Sequence, residues 1–267
     1  MIIRFIVYTV IVIIILSVFV KYLEDRSVYF PEKEILASPS VIGLAYEDVS
    51  FKTRDGLILN AWFVPADNAR NTILLCHGNG GNIGDRLDKI KLLHGLGESV
   101  FIFDYRGYGL SEGKPSEKGL YLDAQAAYEY LMISRQVKES RIIVYGESLG
   151  SVAALELALK RRPAGIIVEG AFSNAVDMAK IIYPKLPSFL FRNKFDSMRK
   201  IVKVSSPVLF FHSRDDEVAP FALGEKLYNA SSGSRRFVEL SGGHNDAFLE
   251  SKNIYLKELA EFIRGLP

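Results

Sequence analysis

From residue 72 onward, short apolar runs alternate with longer stretches in which apolar positions recur every three or four residues. The runs at 72–76, 99–103, 141–145, 165–169, 206–212 and 236–240 are short and mainly apolar, as expected of strands covered on both faces. The stretches at about 83–95, 116–134, 149–161, 220–231 and 246–264 carry the helical period. Pro115, Ser116 and Gly119 open the second of these helices, and Pro163 closes the third. Strand followed by helix, repeated, predicts an α/β fold with a mostly parallel central sheet and helices on both faces. Upstream, 46–51 and 57–64 alternate apolar and polar like half-exposed strands, with a hairpin turn at Thr53-Arg54-Asp55-Gly56 between them. The sheet therefore begins with an antiparallel pair and has about eight strands. Residues 174–203 break the rhythm. They are longer than one crossover needs, aromatic and basic, and interrupted by Pro184 and Pro187. This stretch reads as a small lid, or else as a surface excursion that packs back on the sheet.

The N-terminus follows another pattern. Residues 5–20 carry no charge and are dominated by isoleucine and valine, with Arg4 and Lys21 at the two ends. No convincing small-x-small cleavage site follows, so a single-pass membrane anchor within 1–22 is expected over a signal peptide. Basic residues flank both ends, which leaves the side of the membrane open. Residues 23–45, with Pro31 and Pro39, read as a tether to a domain at 46–267.

Composition adds exclusions. The 267 residues are 49% apolar and carry a net charge of +2 with no basic run, which speaks against a nucleic-acid partner. Cys76 is the one cysteine, so no disulfide forms within the chain, and no Cys/His cluster has metal-ligand spacing. The glycine-rich stretch His77-Gly78-Asn79-Gly80-Gly81-Asn82 has neither a G-x-G-x-x-G register nor a Gly-Lys-Ser/Thr, so it is not read as a phosphate cradle.

Candidate chemistry centres on Gly146-Glu147-Ser148-Leu149-Gly150, between the strand at 141–145 and the helix at 149–161. A serine hydroxyl becomes a useful nucleophile when a tight turn holds it out of the sheet and aims it at a base. Gly146 and Gly150 are the small neighbours such a turn demands, and the Leu149 N–H at the helix start could hold an oxyanion. Four histidines are available: His77, His94, His212 and His244. In a Ser–acid–His chain order the base is His244, in the loop after the last strand. Asp216 is the expected acid and Asp215 the alternate. The second oxyanion donor is expected from the Asn79 N–H, with His77 hydrogen-bonded inside its own loop. Arg106 and Asp104 are expected to brace the sheet end as an ion pair.

These residues resemble the α/β-hydrolase superfamily. More narrowly, they resemble membrane-anchored serine hydrolases related to the fungal bud-emergence homologue and the mammalian α/β-hydrolase-domain proteins. The matching pieces are 77–82, 104–109, 115–130, 146–150, 212–220 and 243–245, within a resemblance covering 45–265. Relatives carry His-Gly-x-x-Asp-x-x-Val-Pro where this chain has His212-Ser213-Arg214-Asp215-Asp216-Glu217-Val218-Ala219-Pro220, which places the acid at Asp216. The resemblance implies a membrane-bound serine hydrolase with a Ser148, Asp216 and His244 triad, needing no cofactor or metal. It is expected to cleave carboxylic esters or thioesters, with a small molecule, a lipid or an acylated protein as substrate. The alternatives are an aminopeptidase-like serine peptidase on the same fold and a non-catalytic interaction module.

Overall fold

A computed structural model describes residues 2–182, 184 and 193–267. In chain order its elements begin with α1 (Ile2–Val28) and β1 (Phe30–Pro31), a 3-10 turn at Pro39–Ile42 (two more follow, at Ile83–Arg86 and Glu139–Arg141), then β2 (Glu47–Lys52), β3 (Ile58–Val64), β4 (Thr72–Cys76), β5 (Gly80–Gly81) and α2 (Leu87–His94). They continue with β6 (Ser99–Phe103), α3 (Glu117–Ile133), β7 (Ile142–Glu147), α4 (Leu149–Lys160), β8 (Gly165–Glu169), α5 (Ala175–Ile182) and α6 (Ser197–Ile201). The last are β9 (Val208–Ser213), α7 (Phe221–Ala230), β10 (Arg235–Leu240), α8 (Ala247–Glu250) and α9 (Lys252–Arg264).

Eight strands form one sheet in the order β10-β9-β8-β7-β4-β6-β3-β2. The pairs β2–β3 and β3–β6 are antiparallel and the others parallel, as expected from the alternating pattern before residue 65 and the mainly apolar runs after it. Side chains alternate between two apolar clusters. Leu74, Phe101, Val144, Val168 and Phe210 join the α3 and α4 side, with Ala124 and Leu155. Ile73, Ile102, Tyr145, Ile167 and Phe211 join the α2 and α9 side, with Ile90 and Leu259. Period-2 strands buried on both faces tie the helices into a three-layer sandwich. The topology reverses at β7, since β6 lies beyond β4 on one side and β8 on the other. In such sheets ligands bind at the strand C-termini near the reversal.

Three expectations are corrected here. The anchor at 5–20 falls in α1. Among the described residues no helix is long and apolar enough to cross a membrane; at 1.5 Å per residue the uncharged run rises only about 24 Å against ~30 Å of hydrocarbon. What α1 does present is a series of exposed apolar side chains, among them Phe5, Tyr8, Ile11, Ile15 and Phe19. The tether at 23–45 is not loose. Its β1 pairs in parallel with β5, and its 3-10 turn buries Pro39. Arg106 does not pair with Asp104. Its guanidinium lies 2.8 Å from Asp123 on α3 and 2.9 Å from Asp55 in the β2–β3 turn, while the Ile83 N–H donates to Asp104 at 3.0 Å. The lid reading at 174–203 falls partly outside the described residues. Within them lie α5, with Ile181 and Ile182 exposed, and α6.

Candidate active site

The site grows from the end of β7. Ser148 follows Glu147 with φ +50° and ψ −116°, a backbone that L residues avoid. Its surroundings hold that conformation. A Cβ on Gly146 would lie 2.5 Å from Ser151 Cα, and one on Gly150 would strike the carbonyls of Cys76 and His77 at the end of β4. Only glycine lets α4 start this close to the neighbouring strand. The Ser148 N–H donates to the Glu169 carbonyl on β8 at 2.8 Å, and Ser151 Oγ donates to the Ser148 carbonyl at 2.6 Å. Leu149 is the first residue of α4, so its amide belongs to the first helical turn, where N–H groups lack intrahelical acceptors.

The loop between β10 and α8 carries His244. Nε2 lies 2.9 Å from Ser148 Oγ, and Nδ1 lies 2.7 Å from Asp216 Oδ2. A carboxylate only accepts, so Nδ1 bears the proton and Nε2 is left to accept from the serine hydroxyl. Gly170, just past β8, makes room for the ring: at φ +56°, a Cβ there would come within 2.9 Å of His244 Cε1. Sequence reading missed this glycine, because it looks like an ordinary strand stop.

Asp216 sits at the first turn after β9 and is 8% exposed. Burial would raise its pKa, but the His212 and His244 imidazoles beside it and a hydrogen bond from the Ala219 N–H outweigh this and hold it well below the usual carboxylate range. The Val218 and Ala219 N–H groups donate to its other oxygen at 3.0 and 2.7 Å. His212, buried at 2% exposure, donates from Nε2 to the Ala219 carbonyl at 2.7 Å and lies 3.4 Å from Asp216 Oδ2. The alternate acid, Asp215, instead accepts the Gly242 N–H at 3.3 Å. Ser213 donates to the Gly242 carbonyl at 2.5 Å, so it helps hold the histidine loop. Asp177 is taken up by Ser173 and Lys226, and Asp196 caps α6.

Ser148 and His244 line a cleft of about 320 Å³ together with Gly78, Asn79, Arg86 and Glu147. Asn79 thus stands beside the nucleophile. The His77 ring donates from Nδ1 to the Gly78 carbonyl at 2.7 Å, inside its own loop. The cleft wall is charged. Arg86 Nε lies 3.6 Å from Glu147, and Glu32 and Asp85 join them. Burial would raise the pKa of Glu147, but Arg86, Lys89, His77 and His244 together lower it. Burial would likewise lower that of His244, but the hydrogen bond and charge of Asp216, with Glu147 and Glu169 behind, raise it above 6.5. Glu169 is itself buried against Lys89 Nζ at 2.6 Å and bonded to Tyr145; Lys89 sits 3.6 Å over the Phe248 ring. Neither Arg86 nor this buried network was found from the sequence, since nothing in the local pattern marks them. Cys76, fully buried behind the turn, has its thiol pushed up to about 12. Among the described residues no group of histidine, cysteine and carboxylate side chains could hold a metal ion.

Comparison with known proteins identifies the fold and the family. Residues 67–193 match the serine aminopeptidase S33 family. The Arabidopsis thaliana α/β-hydrolase domain-containing protein WAV2 is 33% identical over 90% of this chain and 87% of its own length. A Saccharomyces cerevisiae protein, named an uncharacterized membrane protein, is 36% identical over 80% and 78%. The Pyrococcus furiosus esterase Pf2001 superposes with a TM-score of 0.75 over 90% of this chain and 97% of its own, at 20% identity. With a relative of that name aligned along nearly its whole length, and with the same sheet in the archaeal structure, the chain belongs to the α/β-hydrolase superfamily.

Proposed function

We propose that the chain is a serine hydrolase that cleaves carboxylic esters or thioesters through an acyl-enzyme on Ser148. The observation that carries this is the continuous relay from Asp216 through both nitrogens of His244 to Ser148 Oγ, with legs of 2.7 and 2.9 Å. His244 takes the serine proton as Oγ adds to the carbonyl carbon. The same proton then passes to the leaving alcohol or thiol as the tetrahedral intermediate collapses. Asp216 keeps the imidazole in the required tautomer and stabilises its cation. The N–H groups of Leu149 and Asn79 hold the oxyanion, a contribution worth on the order of 10²–10³ in rate per donor in comparable sites. Water enters by the same route in reverse and frees the acid.

The substrate is a lipid ester or an acylated protein presented at a membrane, to which α1 attaches the enzyme by its N-terminal helix. The exposed apolar side chains of α1 and the membrane name of the yeast relative support this. A second reading is an aminopeptidase. The carboxylates of Glu32 and Glu147 at the cleft suit an α-ammonium group, and the S33 family match favours it.

Fluorophosphonate labelling of the full chain tests the catalytic reading. Label that disappears in Ser148→Ala is expected, whereas no label, or equal label in both, leaves a non-catalytic interaction module. A panel of short- and long-chain esters, thioesters and aminoacyl amides then separates the classes. Turnover of amides alone sinks the esterase reading, and turnover of short soluble esters alone sinks the membrane substrate.

A further inference from the structure

The loop that carries Asn79 has few means of holding its own shape. Three of the four residues from Gly78 to Gly81 are glycines, and Gly81 has φ +73°. The loop is held from outside, largely by the segment that leaves α1. The Phe30 N–H donates to the Asn79 carbonyl at 3.0 Å, and the Glu32 N–H donates to the Gly81 carbonyl at 3.1 Å. The Asn79 side-chain amide donates to the carbonyl of Val28, the last residue of α1, at 3.0 Å. Asn82 Nδ2 donates to the Glu34 carbonyl at 2.7 Å. From the far side Tyr108 Oη adds a second bond to the Asn79 carbonyl at 2.8 Å, and Arg86 Nη2 donates to the Gly80 carbonyl at 2.8 Å.

The Asn79 carbonyl and side-chain amide are therefore both tied down, and the orientation of the loop around its backbone N–H is set by these ties. The segment is seated in turn: Val28 packs on the core, and Tyr29, 6% exposed, meets the Phe195 ring edge-on at 6.4 Å.

We propose that β1, together with the C-terminal carbonyl of α1, is a positioning element of the active site that holds the Asn79 amide in its oxyanion-accepting orientation. This rests on the serine hydrolase reading given above. The apolar helix and the oxyanion loop are joined by hydrogen bonds with no intervening linker, so a displacement of α1 moves the oxyanion donor. The link predicts that the way α1 is seated sets turnover more than substrate affinity.

Two full-length variants remove single ties and leave the Asn79 N–H in place. Asn79→Ala removes the bond to Val28, and Phe30→Pro removes the N–H donated to the Asn79 carbonyl. Phe30 is half exposed, so its side chain contributes little to the core. Tyr108→Phe, which loses only a hydroxyl, serves if Phe30→Pro does not fold. Misplacing one oxyanion donor is expected to lower kcat about tenfold or more, with KM within about twofold. The inhibition constant of a trifluoromethyl ketone, which forms an oxyanion adduct, should weaken in step. Amide hydrogen exchange across 77–82 should speed up. If exchange stays at the wild-type rate, or speeds up while kcat and ketone inhibition do not change, the proposal is overturned. A wild-type chain that no fluorophosphonate labels overturns the hydrolase reading instead, and the positioning role falls with it.

Discussion

His244 reaches Ser148 from 96 positions further along the chain, and its Nε2 stops 2.9 Å from the serine oxygen. The acid limb of the pH profile should report the state of this ring. Its pKa lies above 6.5 in the folded protein, because Asp216, Glu147 and Glu169 outweigh its burial. The base must be neutral to take the serine proton, so kcat/KM should rise with pH through a midpoint above 6.5. Glu147→Gln removes one of the carboxylates that favour the charged ring, so this midpoint should move to lower pH. An unmoved midpoint would show that Glu147 does not act on the base.

The two neighbouring aspartates should separate cleanly. Asp216→Asn leaves the ring without its acceptor and permits the wrong tautomer, for a loss of about 10⁴ in kcat, as other triads of this kind show. Asp215→Asn touches only the bond to Gly242 and should keep kcat within about tenfold. Steady-state kinetics on a chromogenic ester decide this; the reverse ranking would move the acid to Asp215.

Gly170→Ala tests the space around the base. The new methyl would press on His244 Cε1 from a backbone at φ +56°. Strain there should cost about 1–2 kcal/mol of stability. Displacement of the ring should lower kcat by about 10²-fold. Chemical denaturation and kinetics on the same preparation separate the two effects, and a fall in stability with full kcat would remove Gly170 from the site.

Lys89→Met should destabilise the fold by about 3–5 kcal/mol, because it strands the buried Glu169 carboxylate. Adding Glu169→Gln to that variant should recover part of the loss. If the single and double variants unfold at the same denaturant concentration, the buried pair is not the source of the cost.

The central strands were legible because each is an apolar run bounded by turn residues, and β8 has the predicted bounds 165–169. The approach of Ser148 to His244 was legible because a crowded turn demands small neighbours and the order of chemical roles along the chain limits the choice, whereas Asp216 was preferred to Asp215 through the resemblance. The partners of Arg106 were not legible. Asp123 and Asp55 lie on a helix and in a hairpin turn, and local charge spacing pointed to Asp104 instead. The pairing of β1 with β5 was hidden for a similar reason. Two residues against two glycines leave no periodicity, and their hydrogen bonds run through backbone atoms that every residue type shares. The charged cleft depends on Arg86 and Glu147 meeting across the loop, a distance no sequence spacing encodes.

The missing Cβ at Gly150 lets the first turn of α4 rest against the end of β4, where the Asn79 loop begins. Nucleophile and oxyanion loop therefore share one block of backbone, and a change in either would disturb both. Adaptation to new substrates must then come from parts that are free to drift independently of that block, such as α5, where Ile181 and Ile182 are exposed. Directed evolution of this scaffold for altered acyl preference should accumulate replacements there and leave 76–79 and 146–150 untouched.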